Sequence, residues 1–297
     1  MTAIRSRQIL ANGLTFAIDE AGDGDCVALF LHGFPECRRS WRRQLPLLAN
    51  LGWRAVAPDL RGYGQSSRPE GRHAYGLDHL VTDVGALFDA LGAQRRLLIG
   101  HDWGGMIAWA AAAWRIRALD GLVIMNAPHP AAYADHVRRS PAQMARSWYA
   151  LFFQIPRLPE AILTRNGAQA IQKVFLGIPH ASEIFTPDDL DQYRANALPP
   201  GAMTAMVNYY RANAGALARA PRTMSRPIDI PALLIWGDQD PYLAADLAEL
   251  CRPYAPALSV RRLADAGHWV QQEAASKVND AIGVWMSEHL PAASGVL

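Results

Sequence analysis

Short apolar runs bounded by turn residues alternate along this chain with stretches of helical character. Cys26–Leu31 is continuously apolar and too short for an ordinary helix, so it predicts a buried strand. Residues 54–60, 96–99, 119–125, 232–236 and 258–263 read the same way. Between them, residues 40–51, 76–91, 104–114, 245–252 and 273–289 are amphipathic or rich in Ala and Leu, and predict helices. Strands without a polar face, alternating with helices, predict an α/β fold: a mostly parallel sheet covered by helices on both faces.

The alternation breaks once. Residues 128–231 contain no comparable buried strand, and a hundred residues is far beyond the usual connection of about 4–6. Helical signals fill the gap. Thr186-Pro187-Asp188-Asp189 has the form of a helix start, with Thr as N-cap and Pro in the first turn. Pro199-Pro200-Gly201 closes one helix and precedes another that runs to about residue 213. The stretch predicts a helical insertion over the carboxyl ends of the strands, where open α/β sheets bind ligands. The expected division is a core of residues 1–129 and 223–297 around a cap of residues 130–222.

Composition narrows the functional classes. A chain of 297 residues, 51% hydrophobic and 19% charged, has apolar material for a large core and is not a disordered chain. No apolar run approaches the ~18 residues of a membrane span. Two arginines near the start are not followed by an apolar segment, which predicts no signal peptide and a cytoplasmic protein. A net charge of +2 is too small for a nucleic-acid footprint. The pairs Arg38-Arg39 and Arg42-Arg43 read as a solvated helix face. Cys26, Cys37 and Cys251 are odd in number and lack metal-ligand spacing, so neither a disulfide framework nor a zinc site is expected. No cofactor fingerprint follows a strand. A homodimer is left open.

The sharpest local feature is Gly100-His101-Asp102-Trp103-Gly104-Gly105. A buried strand enters a tight turn flanked by glycines, and a helix follows. This is the geometry that lifts one side chain above a sheet as a nucleophile, and the side chain here is Asp102. Upstream, His32-Gly33-Phe34-Pro35 follows the first buried strand, so the Phe34 and Trp103 amides can form an oxyanion hole. Downstream, Asp238 and Asp240 lie just past a strand and His268 lies past the next. The order nucleophile, acid, histidine fits a triad, with Asp240 favoured over Asp238.

On these motifs, and on Asp59-Leu60-Arg61-Gly62-Tyr63-Gly64-Gln65-Ser66 and Gly267-His268-Trp269, nearly the whole chain resembles the α/β-hydrolase fold family. The Asp59–Ser66 loop looks structural and carries no chemistry. An Asp nucleophile in that family implies an epoxide hydrolase or a dehalogenase, not a serine esterase. Ser147 to Pro156 resembles the cap segment of soluble epoxide hydrolases, with Tyr149 at the position of a substrate-facing phenol. Asn208-Tyr209-Tyr210-Arg211 resembles their second cap motif, with Tyr210 as the phenol. Fluoroacetate dehalogenases are also similar, but have His-Trp at Tyr149-Ala150 and Arg at Trp103. Many haloalkane dehalogenases have Asn at Phe34.

The resemblance implies a covalent route. Asp102 attacks the epoxide carbon while Tyr149 and Tyr210 donate to the ring oxygen. His268, oriented by Asp240, then activates the water that cleaves the ester. Trp103, Trp148, Phe152 and Phe34 are expected around a small apolar epoxide. The alternatives are a dehalogenase with the same Asp102, Asp240 and His268, and a non-catalytic ligand receptor.

Overall fold

Eight strands form one sheet in the computed structural model, which describes residues 2–179, 181–218 and 222–290. They are β1 (Arg5–Ala11), β2 (Leu14–Ala21), β3 (Cys26–Leu31), β4 (Arg54–Pro58), β5 (Arg95–His101), β6 (Gly121–Met125), β7 (Ala232–Gly237) and β8 (Leu258–Leu263). Their order across the sheet is β1-β2-β4-β3-β5-β6-β7-β8. The six strands from β4 to β8 are parallel, and β1 and β2 run antiparallel at one edge.

The six buried strands lie where the apolar runs predict them, with ends shifted by a residue or two. The edge hairpin was not predicted. β1 carries Arg5, Arg7 and Gln8 and is mostly exposed, so it lacks the apolar run that marks the others. Its signal was the Asn12-Gly13 turn, where both residues have positive φ, as a tight hairpin requires.

The strand pleat sorts the core into two layers. Leu97 and Ile99 of β5 pack with Trp41, Leu48 and Trp285 on one face; Leu98 packs with Phe88 and Trp109 on the other. On the first face lie α1 (Leu45–Asn50) and, at the far end of the chain, the helix Ala275–His289. On the second lie α2 (Leu77–Ala90) and α3 (Trp103–Ala113). α3 is buried almost all round, which its alanines allow by keeping the helix thin. The expected helix at 40–51 is a 3-10 turn, Arg38–Trp41, followed by α1, and the expected helix at 245–252 is a 3-10 stretch, Ala245–Tyr254.

Between β6 and β7 the described chain makes α4 (Pro130–Arg139), α5 (Pro141–Arg146), α6 (Trp148–Phe152), α7 (Leu158–Leu176), α8 (Ala181–Ile184), α9 (Pro187–Ala197) and α10 (Ala202–Ala218). These helices fill the stretch expected to form a helical insertion. Of the expected insertion, residues 180 and 219–221 lie outside the described residues. After β8 the described chain makes α11 (Val270–Glu273) and the longer α12 (Ala275–His289).

The Thr186 start is built as a capping box. Thr186 Oγ1 accepts from the Asp189 amide and Asp189 accepts from the Thr186 amide, each at 3.1 Å. The same Asp189, 1% exposed, also binds Arg39 at 2.6 Å and Arg42 at 2.7 Å. The expectation of a solvated face for the paired arginines is therefore corrected. Arg38 pairs with Asp19 and Asp59, Arg39 and Arg42 fasten the cap to the core, and Arg43 donates to the Gln272 carbonyl.

Candidate active site

The sheet order reverses between β3 and β5, because the chain passes from β3 to β4 on one side and then to β5 on the other. A crevice opens at the carboxyl ends of strands at such a point. Asp102 stands there, between β5 and α3, with φ 50° and ψ −120°. A non-glycine residue held so is strained by about 1–3 kcal/mol, and the packing below it enforces the turn. A side chain on Gly104 would collide with the Leu31 carbonyl, so only glycine lets α3 leave so close to β3. A Cβ on Gly33 would sit 2.5 Å from Asp102 Cβ. That approach brings the Phe34 amide to Asp102 Oδ1, to which it donates at 2.8 Å. Trp103, next in sequence, opens α3.

The other carboxylate oxygen faces His268. His268 Nε2 lies 3.7 Å from Asp102 Oδ2, and its Nδ1 lies 2.7 Å from Asp240 Oδ2. Asp240 is fully desolvated and also accepts from the Tyr242 amide at 2.7 Å, the Leu243 amide at 2.9 Å and Asn126 Nδ2 at 2.8 Å. Burial alone would raise its pKa, but the His268 charge and these donors hold it below the usual value. Burial would lower the His268 pKa, but the Asp240 and Asp102 carboxylates lift it to about 9. Asp238 instead pairs with Arg262 at 2.8 Å on the surface.

Two residues that carried no sequence signal for chemistry brace this pair from below. Glu36 is fully buried and accepts from the Gly33 amide at 3.1 Å, from Gln271 at 3.0 Å and from Gln272 at 2.7 Å. Its other partner, at 2.7 Å, is His101 Nδ1, whose Nε2 meets the His268 carbonyl at 2.8 Å. Burial opposes ionisation of Glu36, yet His101 and Ser40 bring its pKa down to about 2. One buried carboxylate thus ties the Gly33–Phe34 turn to the His268 loop. Asn126 was also missed. It follows β6 with φ 36°, and its position at a strand end beside Asp102 was the available signal.

The cap brings two phenols to the same crevice. Tyr149 comes from α6 and Tyr210 from α10, with ring centroids 5.9 Å apart. Tyr210 also packs edge-on against Phe34 and Trp103, at 5.5 and 5.0 Å. Its neighbour Tyr209 points away and donates to the Arg61 carbonyl at 2.9 Å. Burial, first, and then the nearby carboxylates raise both Tyr149 and Tyr210 well above the ordinary phenol value. Both phenols therefore stay protonated and able to donate at neutral pH.

Asp102, Tyr149 and Tyr210 line two adjoining lobes of unequal size. The narrow lobe, about 50 Å³, is closed by Trp103, Met106, Tyr133 and Leu243. The wide lobe, about 180 Å³, is walled by Phe34, Phe152, Phe153 and Trp269 and reaches His268. Trp148 lines its rim while remaining 63% exposed. Trp103 and Phe34 thus fall in different lobes. Tyr133 and Tyr242 are wall residues that the motifs did not mark.

A carboxylate with one oxygen on an amide and the other facing a buried His–Asp pair, opposite two protonated phenols, can form and then hydrolyse an ester with an electrophilic carbon. Residues 28–275 match the alpha/beta hydrolase fold family. The chain is 36% identical to Epoxide hydrolase 4 of Mus musculus over 287 residues, covering 95% of this chain and 79% of that one. It is 35% identical to the AB hydrolase superfamily protein YfhM of Bacillus subtilis (strain 168), covering 95% and 98%. The crystal structure of the Bacillus megaterium epoxide hydrolase in complex with an inhibitor superposes with a TM-score of 0.87 at 30% identity, covering 95% and 100%. Among the described residues, no helix is long and apolar enough to cross a membrane.

Proposed function

The chain belongs to the alpha/beta hydrolase fold family, and from that premise we propose that it is an epoxide hydrolase acting through an Asp102 ester. The observation that carries this reading is the opposition of Asp102 to the Tyr149 and Tyr210 phenols across one apolar cavity. The names of its relatives point the same way.

In the first half-reaction, Asp102 Oδ2 attacks a ring carbon and the carbon–oxygen bond opposite it breaks. Tyr149 and Tyr210 bond the departing oxygen and supply its proton, a contribution of about 10²–10⁴-fold. In the second, His268 takes a proton from water, which adds to the ester carbonyl. The charge that develops falls on Oδ1, already held by the Phe34 amide, with the Trp103 amide as its second donor. Collapse breaks the bond between the Asp102 carbonyl carbon and the substrate oxygen; the leaving alkoxide takes the proton held by His268, the Asp102 acid proton restores the phenol, and the Asp102 carboxylate and a vicinal diol remain. A serine in place of Asp102 would leave an ether with no carbonyl for water to attack.

The charges sequence the two steps. Free Asp102 is one of the groups that raise His268. Esterification removes that charge, so the His268 pKa falls when the base is needed. The two lobes suit a substrate with one large apolar substituent and one small one. The catalytic set is Asp102, Asp240 and His268 of the core together with Tyr149 and Tyr210 of a cap of residues 130–222. The test is a panel of epoxides and organohalides assayed for diol and for halide. Wild type forms diol and the Asp102→Ala protein forms none; halide release without epoxide turnover overturns the reading in favour of a dehalogenase.

A further inference from the structure

α6 carries Tyr149 yet has only five residues, Trp148–Phe152, none of them buried. Trp148 and Leu151 are 63% and 72% exposed. A helix this short does not hold itself, and its apolar residues Tyr149, Ala150 and Phe152 are only half-buried against the core. Its start is fixed one turn earlier, by a polar side chain. Gln143 of α5 is fully buried. Its Nε2 donates to Ser147 Oγ at 3.0 Å, in the residue that begins α6. Ser147 Oγ in turn bonds the Tyr133 hydroxyl at 2.9 Å.

The rest of Gln143 faces the core. Nε2 also donates to the Tyr242 carbonyl at 2.8 Å, and Oε1 accepts from the Ala244 amide at 2.8 Å. These are the residues after Asp240, whose Oδ1 is oriented by the Tyr242 and Leu243 amides. Arg146, at the end of α5, donates to the Asp240 carbonyl itself at 2.8 Å. The Asp240 loop is thus gripped at three backbone points by two cap side chains. One of these also holds the start of the helix bearing Tyr149.

Building on the epoxide-hydrolase reading, we propose that Gln143 is a positioning residue that sets Tyr149 and the Asp240–His268 pair in one register, with Arg146 as its partner on the Asp240 side alone. Glutamine suits this place because one amide offers two donors and an acceptor in a single plane. An apolar residue of similar size fills the space but leaves the Tyr242 carbonyl and Ala244 amide without partners. Asp240 then loses its angle on His268, and α6 loses its fixed start. Displacements near 1 Å in such a constellation reduce rates by about 10²-fold.

The test separates the two half-reactions by rapid-quench mass spectrometry of the full chain with styrene oxide, following ester formation and diol release across pH. Gln143→Leu is expected to slow both steps by about 10-fold or more. Its ester-hydrolysis limb should move to lower pH, because a displaced Asp240 no longer raises His268. Arg146→Met, at an exposed position that a substitution leaves folded, is expected to slow ester hydrolysis by about 3–10-fold with the same direction of pH shift, and to spare ester formation. A Gln143→Leu protein that melts like wild type, with both rates within two-fold and the limb unmoved, overturns the proposal. So does Arg146→Met with an unshifted limb. A change in melting temperature alone does not move that limb, so it does not imitate the result. Wild type that makes neither ester nor diol overturns the epoxide-hydrolase reading itself, an outcome distinct from normal turnover with unaffected variants.

Discussion

Asp102 and Tyr149 face one cavity from two bodies of different construction. Asp102 is set by backbone: strand β5, a strained turn, helix α3, and the Phe34 amide at 2.8 Å. Asp240 and His268 likewise stand just past strand ends and are bonded on nearly every polar atom. Tyr149 sits on a five-residue helix that packs half-buried against the core and is tied at its start by side-chain bonds from its neighbours. The core fixes its groups by topology, and the cap fixes its groups by contacts between residues far apart in the chain. On the proposed mechanism, the groups that form and break the ester stand at strand ends, and the groups that meet the epoxide oxygen stand on the inserted helices.

Substitutions that divide the two half-reactions test this contrast most strongly. Asp102→Ala is expected to reduce diol formation by about 10⁴-fold or more, with no covalent adduct. His268→Gln is expected to lose turnover on a similar scale, about 10⁴-fold, while retaining ester formation, so intact-mass spectrometry finds the chain carrying one epoxide. An adduct in the Asp102→Ala protein would break the assignment of the nucleophile to the core.

The cap side is tested by Tyr149→Phe and Tyr210→Phe. Each is expected to slow ester formation by about 10–10²-fold, and the double variant by about 10²–10⁴-fold. Ester hydrolysis, read from the decay of trapped ester in a chase, should stay within about 3-fold of wild type. Equal losses in both steps would mean that the cap and the core do not divide the work.

The pH profile gives a smaller and more specific effect. His268 must be neutral to accept a proton from water, and its carboxylate neighbours raise its pKa to about 9 in the free protein. Ester hydrolysis is therefore expected to rise with pH through a limb that lies below that value, since the ester has removed the Asp102 charge. Asp240→Asn removes another raising charge and should move the limb to still lower pH, with a lower plateau. A limb that moves upward would contradict the assigned electrostatics.

The smallest effect concerns attachment of the cap. Asp189→Ala removes the capping box and leaves Arg39 and Arg42 without their shared partner. A stability loss of about 1–3 kcal/mol is expected in denaturant titration, with ester hydrolysis nearly unchanged. A larger effect on chemistry than on stability would show that the latch also sets the site.

The same contrast governed what the sequence made legible. The strands β3, β4, β6 and β7 are short and mostly buried, so their apolar runs alone placed them, whereas β1 is polar at an exposed edge and escaped. The elbow glycines made Asp102 visible because close backbone passages tolerate nothing larger. Chain order then brought Asp240 and His268 forward. Tyr149 and Tyr210 rested on resemblance, since local spacing could not separate Tyr210 from Tyr209; the contact of Tyr209 with Arg61 is 148 residues distant in sequence. Arg39 and Arg42 look like surface arginines until the cap folds back and presents Asp189. Glu36 and Gln143 left no pattern at all, because their roles arise only where separate loops converge.

The covalent route through Asp102 is tested most directly by a single turnover in heavy-oxygen water with enzyme in excess over epoxide. The expected result is label in the Asp102 carboxylate, found by peptide mass spectrometry, and a first-turnover diol without label. Label in that first diol, with Asp102 unlabelled, would mean that water attacks the epoxide directly and would contradict the account.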